Sequence, residues 1–143
     1  MSGTTLFACT GGNGVYRSTD DGQSWVAVNT GLPEPFTNVV FVSGANLFAG
    51  IGTFSGVYRS TNNGNSWSVM NNGLPANSRV SAFAQSGSSL FVATSNGVFV
   101  TTNQGQSWMV VSTGLPPSQA LSLAISGNRL FVGLAGSGVY VAQ

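Results

Sequence analysis

The chain has 143 residues, enough for one domain with a sizeable core, and 42% of them are hydrophobic, which argues against disorder. Charged residues make up only 5%, with 4 Lys and Arg against 3 Asp and Glu and no His. This composition excludes the clustered cations that nucleic-acid binding needs. No apolar run approaches the roughly 20 residues of a membrane helix. We therefore expect neither nucleic-acid nor membrane partners.

The predicted strands begin with two short motifs that occur four times along the chain. The first is a Leu-Phe pair, found at Leu6-Phe7, Leu47-Phe48, Leu90-Phe91 and Leu130-Phe131. The second is Gly-Val followed by an aromatic residue, found at Gly14-Val15-Tyr16, Gly56-Val57-Tyr58, Gly97-Val98-Phe99 and Gly138-Val139-Tyr140. Turns containing Gly beside Asn, Ser or Asp separate these motifs, as in tight β-hairpins.

An eight-residue segment that ends in tryptophan follows three of these units, and we call it the tryptophan box. Its copies are Ser18–Trp25, Ser60–Trp67 and Thr101–Trp108. Trp67 follows Trp25 by 42 residues, and Trp108 follows Trp67 by 41. A repeat of this length in a Gly-rich chain is typical of a propeller blade or a similar array.

Each repeat unit is predicted to contain four short strands, A to D. In the second unit these are about 38–42, 46–51, 56–61 and 66–70. The phase of the motifs gives the strand order B-C-D, A-B-C-D, A-B-C-D, A-B-C along the chain. The prediction is one all-β repeat domain, 1–143, of about 3.5 units, divided at 2–32, 37–74, 79–115 and 120–143.

The box pattern Ser-x-Asp-x-Gly-x-x-Trp resembles the Asp-box, also called the bacterial neuraminidase repeat (BNR), of β-propellers. The resemblance covers essentially the whole chain and implies blades of four antiparallel strands, with each box in the hairpin between strands C and D at the outer rim. It also suits a parent protein that is secreted or displayed on a cell surface. The residues it assigns a structural role are Ser18, Asp20, Gly22 and Trp25, Ser60, Asn62, Gly64 and Trp67, and Thr101, Asn103, Gly105 and Trp108.

The box residues favour a structural role over a metal site. Asp20 is placed to accept hydrogen bonds from its own turn, and Gly22 permits a left-handed backbone. Asn62 and Asn103 replace the aspartate in the other copies, which keeps an acceptor oxygen but loses the charge. A metal ligand would be weakened by that change, whereas a turn would not. We expect each tryptophan to bury its ring against a blade, and we expect no metal and no cofactor.

A sialidase-like glycoside hydrolase is the enzymatic alternative, because that family shares the box. Its chemistry needs an arginine cluster, a tyrosine nucleophile and separated carboxylic groups. Asp20 and Asp21 are adjacent, and Glu34 lies between prolines in a linker. No carboxyl pair stands out, so we expect no enzymatic activity. Two arginines on strand C, Arg17 and Arg59, are interpreted as solvated positions or as a shared anion site.

The strand count favours self-association as the function. The first unit lacks strand A and the fourth lacks strand D, so unpaired edges are expected at both ends, and proteins normally cover or charge such edges. Two chains would supply the strands of seven four-stranded blades, but a terminal A-B-C would meet an initial B-C-D. Either two defective blades then lie in an eight-unit ring, or one strand at each junction is displaced. We therefore expect a homo-oligomer that completes a ring, with a dimer favoured and a filament as the outcome if the contact fails to close. A module that binds a glycan or a peptide is the alternative.

Overall fold

The computed structural model describes residues 4–142, which form fourteen strands and no helix. The turn predicted at Ser2-Gly3 and the predicted last strand residue, Gln143, lie outside this range. No helix long and apolar enough to cross a membrane is found among residues 4–142. The strands are β1 (Leu6–Thr10), β2 (Gly14–Ser18), β3 (Val26–Ala27), β4 (Thr37–Ser43), β5 (Asn46–Ile51), β6 (Val57–Ser60), β7 (Ser68–Val69), β8 (Val80–Ser86), β9 (Ser89–Thr94), β10 (Gly97–Thr101), β11 (Met109–Val110), β12 (Ala120–Ser126), β13 (Arg129–Leu134) and β14 (Gly138–Ala142).

These strands form four antiparallel sheets in which neighbours in sequence are neighbours in space. The sheet orders are β1-β2-β3, β4-β5-β6-β7, β8-β9-β10-β11 and β12-β13-β14. We call them blades 1 to 4. The predicted all-β fold with about three and a half blades is confirmed, and the described residues do not close a ring.

The strand bounds of blade 2 match the prediction most closely where the hairpins are tight. Strand β5 has the predicted bounds 46–51, and β4 extends the predicted strand A by one residue at each end. Strand β7 is shorter than predicted, because it contains only Ser68 and Val69. Trp67 lies outside the ladder and is free to turn its ring toward another blade.

The hydrophobic core lies between consecutive blades rather than within one sheet. One buried cluster joins blades 1 and 2, a second joins blades 2 and 3, and a third joins blades 3 and 4. Val15 of blade 1 packs with Leu47 and Ala49 of blade 2, for example. We call the side of a blade that faces the preceding blade its front face, and the side that faces the following blade its rear face.

Alternation along the strands assigns the repeated motifs to these two faces. In the cluster between blades 1 and 2, Phe7 and Val15 belong to the rear face of blade 1, whereas Leu47 and Tyr58 belong to the front face of blade 2. The Leu-Phe pair therefore contributes one residue to each face. This division explains why the same short motif recurs in every blade.

Candidate functional site

Each tryptophan box is a hairpin turn held by its own side chains. In the first box the Ser18 hydroxyl donates to Asp20 Oδ1 at 2.7 Å and accepts from the Gly22 amide at 2.8 Å. The Ser24 amide donates to the same Asp20 oxygen at 2.9 Å. The two residues at the tip of the turn, Asp21 and Gly22, have left-handed backbones with φ of 59° and 89°. The turn therefore needs a small hydroxyl, an acceptor oxygen and a glycine at these positions.

The second and third boxes repeat this arrangement with asparagine at the acceptor position. Ser66 N donates to Asn62 Oδ1 at 2.9 Å, and Ser107 N donates to Asn103 Oδ1 at 3.0 Å. The other box residues, Ser60, Gly64, Thr101 and Gly105, make the bonds that Ser18 and Gly22 make in the first copy.

One bond reverses direction between the aspartate and asparagine boxes. Ser24 Oγ donates to the Asp20 carboxylate, whereas Asn62 Nδ2 donates to Ser66 Oγ at 2.8 Å. The bonds that Asp20 accepts from Ser24 and Ser18 lower its pKa from the ordinary 3.8 to about 2. The carboxylate of Asp20 thus accepts hydrogen bonds from Ser18 and Ser24 of its own turn.

The indole rings of Trp67 and Trp108 pack against the preceding blade, not against their own. The indole Nε1 of Trp67 donates to the Val28 carbonyl of blade 1 at 2.7 Å, and that of Trp108 donates to the Met70 carbonyl of blade 2 at 2.8 Å. Both rings are buried, at 5% and 3% exposure. The expected burial of these rings is therefore found, and it joins neighbouring blades.

Trp25 departs from that expectation. Its side chain is 41% exposed, and its indole Nε1 donates to the Gly22 carbonyl of its own box at 3.2 Å. Blade 1 is the first blade that the structure describes, so no preceding carbonyl is offered to this indole. The same box therefore presents a buried tryptophan in two copies and an exposed one in the first.

The strand C arginines contact the box of the following blade instead of standing in solvent. Arg17 Nη1 donates to the Asn63 carbonyl at 2.7 Å and to Asn65 Oδ1 at 2.9 Å. Arg59 Nη1 makes the equivalent bond to the Gln104 carbonyl at 2.7 Å. These bonds correct the interpretation of the two arginines as solvated, because each guanidinium group lies across a blade junction, Arg17 between blades 1 and 2 and Arg59 between blades 2 and 3.

Two asparagines that sequence reasoning missed hold the strand B–C turns. Asn29 Oδ1 accepts from the Val15 amide at 2.7 Å, and Asn71 Oδ1 accepts from the Val57 amide at 2.8 Å. Both lie two residues before a Gly-Leu-Pro motif, which was a usable signal. Ser112 occupies the same place in blade 3, where a pocket of about 340 Å³ opens.

The strand B–C turns and the strand D–A linkers lie on one side of the molecule, which we call the linker face. The amide of Gly52, in a turn, donates to the Phe36 carbonyl in a linker at 2.7 Å. Phe36 and Phe54 are 48% and 63% exposed there. Glu34 Oε1 accepts from Ser55 Oγ at 2.8 Å. Burial raises the pKa of Tyr58, and the negative charge of Glu34 raises it further.

Comparison with solved structures shows the β-propeller fold. An extracellular domain of a putative hybrid two-component system from B. thetaiotaomicron matches 100% of this chain and 20% of its own, at 18% identity and a TM-score of 0.82. An ancestral GH74 enzyme matches 99% of this chain and 21% of its own, at 22% identity and a TM-score of 0.79. The computationally designed Ika4 protein matches 99% of this chain and 86% of its own, at 12% identity and a TM-score of 0.75.

This chain thus spans about a fifth of the GH74 enzyme and of the extracellular domain. No family model matches the sequence, and no curated protein matches it.

Proposed function

We propose that the chain is a non-catalytic β-propeller module that joins copies of itself end to end, completing a ring that serves as a structural or interaction scaffold. The rear face of blade 4 would contact the front face of blade 1 in a second copy. We also propose that the tryptophan boxes are Asp-boxes of the BNR type, used as turns and blade anchors.

The observation that carries this proposal is the exposure of the rear face of blade 4. Val139 is 70% exposed, whereas its counterparts Val15, Val57 and Val98 are 0%, 0% and 1% exposed beneath the following blade. Val141 on the same strand is 52% exposed. An apolar face that is buried at every other junction fits a blade packed against it.

The front face of blade 1 is the matching surface. Trp25 is exposed there, whereas Trp67 packs with Val15 and Trp108 packs with Val57 in the buried clusters between blades. Trp25 of one copy would therefore contact Val139 of the next. The proposed contact between Trp25 and Val139 would repeat the packing of Trp67 with Val15 and of Trp108 with Val57.

The geometry of such a contact decides what assembles. It joins two different faces, so it yields a ring if the rotation closes and a filament if it does not. Two copies bring twenty-eight strands and eight blade positions, four of which lack a strand. Propellers usually have about four to eight blades. A closed dimer is therefore the assembly that we propose.

Two of the three acidic side chains are engaged in local hydrogen bonds, which supports a non-catalytic role. The Asp20 carboxylate accepts bonds from Ser18 and Ser24 within its own turn. Glu34 accepts from Ser55 on the linker face. A tyrosine nucleophile is easier to ionise when its pKa is low, and the pKa of Tyr58 beside Glu34 is raised.

Mass in solution tests the proposal. The wild-type chain is expected at twice its 14.6 kDa mass in size-exclusion chromatography with light scattering. Val139→Asp is expected to shift the dimer to monomer, because it places a charge in an apolar contact. Val69→Asp is the matched control, since Val69 is 56% exposed on a strand away from both end faces.

A wild-type chain that stays monomeric on concentration contradicts the proposal, and so does an assembly that Val139→Asp leaves intact. Larger species that Val139→Asp abolishes would place the same contact in an open filament. Circular dichroism of both variants establishes that they retain the fold.

A second candidate function is the binding of a glycan or a peptide at the linker face. The observation that favours it is the pair of exposed aromatic rings of Phe36 and Phe54. The strand B–C turn of blade 2 that carries Phe54 is also longer than its counterpart in blade 3. A glycan array and a peptide pull-down with the wild-type chain test this candidate.

A further inference from the structure

An open socket lies at the outer edge of the junction between blades 3 and 4. It has a volume of about 230 Å³ and is lined by Val98, Val111, Thr113, Leu130 and Tyr140, among others. At the two preceding junctions the equivalent place holds an indole ring. We call each of these three places a seat. The side chain that fits the open seat can be inferred from the two that hold a tryptophan.

The filled seats define how an indole is held. The Nε1 of Trp67 donates to the Val28 carbonyl, and the Nε1 of Trp108 donates to the Met70 carbonyl. The residue at this position of blade 3 is Val111, which is 37% exposed and borders the socket. An indole placed here would have the Val111 carbonyl as its acceptor.

The filled seats also define how the backbone of the occupant is held. The Trp67 amide donates to the Thr30 carbonyl, and the Trp108 amide donates to the Asn72 carbonyl, both at 2.9 Å. Thr113 is the equivalent residue of blade 3 and borders the socket. A second acceptor is therefore placed for a tryptophan main chain.

The edge of β14 offers the third element of recognition. In blades 2 and 3 a two-residue strand follows the tryptophan and pairs with strand C, in the registers Tyr58↔Val69 and Phe99↔Val110. Strand β14 pairs with β13 on one side, and its other side is the edge of the sheet that the structure describes. The edge at Tyr140 and Val141 can therefore receive such a strand.

A glycine beside each seat shows that the backbone is shaped for this approach. A Cβ at Gly73 would overlap the Trp108 carbonyl oxygen, and one at Gly31 would overlap that of Trp67. Gly114 has the same left-handed backbone, with φ of 88° against 90° and 92°, yet has no atom within 4 Å of the Cβ position. Blade 3 thus keeps the seat geometry around an open space.

We propose that this socket binds an extended polypeptide segment from a second molecule, carrying a tryptophan followed by a short strand. The segment would add a fourth strand to blade 4 by pairing with β14, a mode known as β-augmentation. Tryptophan fits the seat because its ring is large and apolar and its indole N–H can donate to the Val111 carbonyl. Phenylalanine has no such donor, and the donor of tyrosine is a hydroxyl.

This site is separate from the end-to-end contact of the proposed function. The socket lies on the blade 3 side of β14, among residues such as Leu130 and Tyr140 that pack with the cluster between blades 3 and 4. The end-to-end contact is tested at Val139 on the rear face, which does not line the socket, whereas Val141 borders both sites. The two inferences can therefore fail independently.

A labelled peptide with the sequence of Thr101–Ser112 tests the proposal, because it reproduces a box and its outer strand. Fluorescence anisotropy is expected to show saturable binding to the wild-type chain. A peptide with alanine in place of Trp108 is expected to bind at least about tenfold more weakly, since a buried tryptophan is the type of residue that dominates such contacts.

Protein variants locate the binding. Val111→Asp places a charge in the socket and is expected to weaken binding by at least about tenfold. Val110→Asp is the matched control, because Val110 is the neighbouring residue, is 58% exposed and does not line the socket. The proposal is overturned by absent binding, by equal binding of the alanine peptide, or by equal weakening in the two variants. The peptide comparison remains decisive if Val111→Asp does not fold.

Discussion

At the scale of single residues, the third position of the tryptophan box shows what the turn requires. Asp20, Asn62 and Asn103 each accept a hydrogen bond from the serine amide four residues later. Only the bond to the serine hydroxyl changes direction, because a hydroxyl can donate or accept. The turn thus selects an acceptor oxygen and tolerates either charge state.

The charge at this position makes the first box sensitive to acid. Its hydrogen bonds hold the pKa of Asp20 at about 2, below the ordinary 3.8. A folded-state pKa that is depressed adds stability above the unfolded pKa, and this stability is lost as the pH falls through the folded value. Asp20→Asn is therefore expected to reduce the loss of thermal stability between about pH 4 and pH 2.

Thermal denaturation across that pH range measures the effect. Asp21→Asn, next to it in the turn, is the control, and it removes the same charge from an exposed side chain. An equal acid response in the wild type and Asp20→Asn would mean that the carboxylate bonds contribute nothing to stability.

Residue types in the box could be predicted from sequence, but their partners in other blades could not. The acceptor role of Asp20 follows from local geometry, since its partners lie within four residues. The bond from Arg17 to Asn63 spans 46 residues and depends on how two blades stack. Trp25 was expected to be buried like its copies, because exposure depends on the neighbouring blade and not on the repeat itself.

At the scale of elements, the strands could be predicted because each hairpin carries its own turn signal. Fourteen strands were expected and fourteen are found. The short outer strands were overestimated, since the tryptophan leaves the ladder to reach the preceding blade. In β7 only Ser68 and Val69 pair with strand C. The repeat pattern of the sequence alone does not predict that the tryptophan leaves the ladder.

Alanine substitutions at two equivalent glycines distinguish the cost of a left-handed backbone from the cost of close packing. Gly73 and Gly114 share a left-handed backbone, with φ of 90° and 88°, but only Gly73 lies against the carbonyl of a seated tryptophan. Gly114→Ala is expected to cost about 1–2 kcal/mol of unfolding free energy, the penalty for a left-handed alanine. Gly73→Ala is expected to cost about 1–3 kcal/mol more, because the added methyl group displaces Trp108.

Urea unfolding of the two variants at one low protein concentration measures this difference. Equal costs would show that the seat of Trp108 yields to a methyl group, and would weaken the view that the glycine is there for close approach.

At the scale of the whole molecule, the chain is a stack of four blades joined by three buried clusters, and its two end faces are exposed. Burial at the three internal junctions leaves the front face of blade 1 and the rear face of blade 4 uncovered, as Trp25 and Val139 show. The missing strands were predictable from the phase of the repeat. The exposure of Trp25 was not, because it depends on the surface next to blade 1 and not on the repeat itself.

Alanine substitutions of Trp67 and Trp25 test the difference between an internal junction and an end face. Trp67→Ala is expected to cost about 3–5 kcal/mol at any protein concentration, because it empties a buried seat within one chain. Trp25→Ala is expected to cost less than about 1 kcal/mol in dilute solution, where the ring is exposed. Its cost should then rise with protein concentration if Trp25 covers Val139 of another copy, because association stabilises only the folded chain.

Urea denaturation repeated over a range of protein concentrations tests this pair of variants. A cost of Trp67→Ala below about 1 kcal/mol would contradict its role as an anchor between blades. A cost of Trp25→Ala that does not change with concentration would place this ring outside the contact between copies. Because the two residues occupy the same box position, the difference between their concentration dependences isolates what a neighbouring molecule adds from what the blade itself supplies.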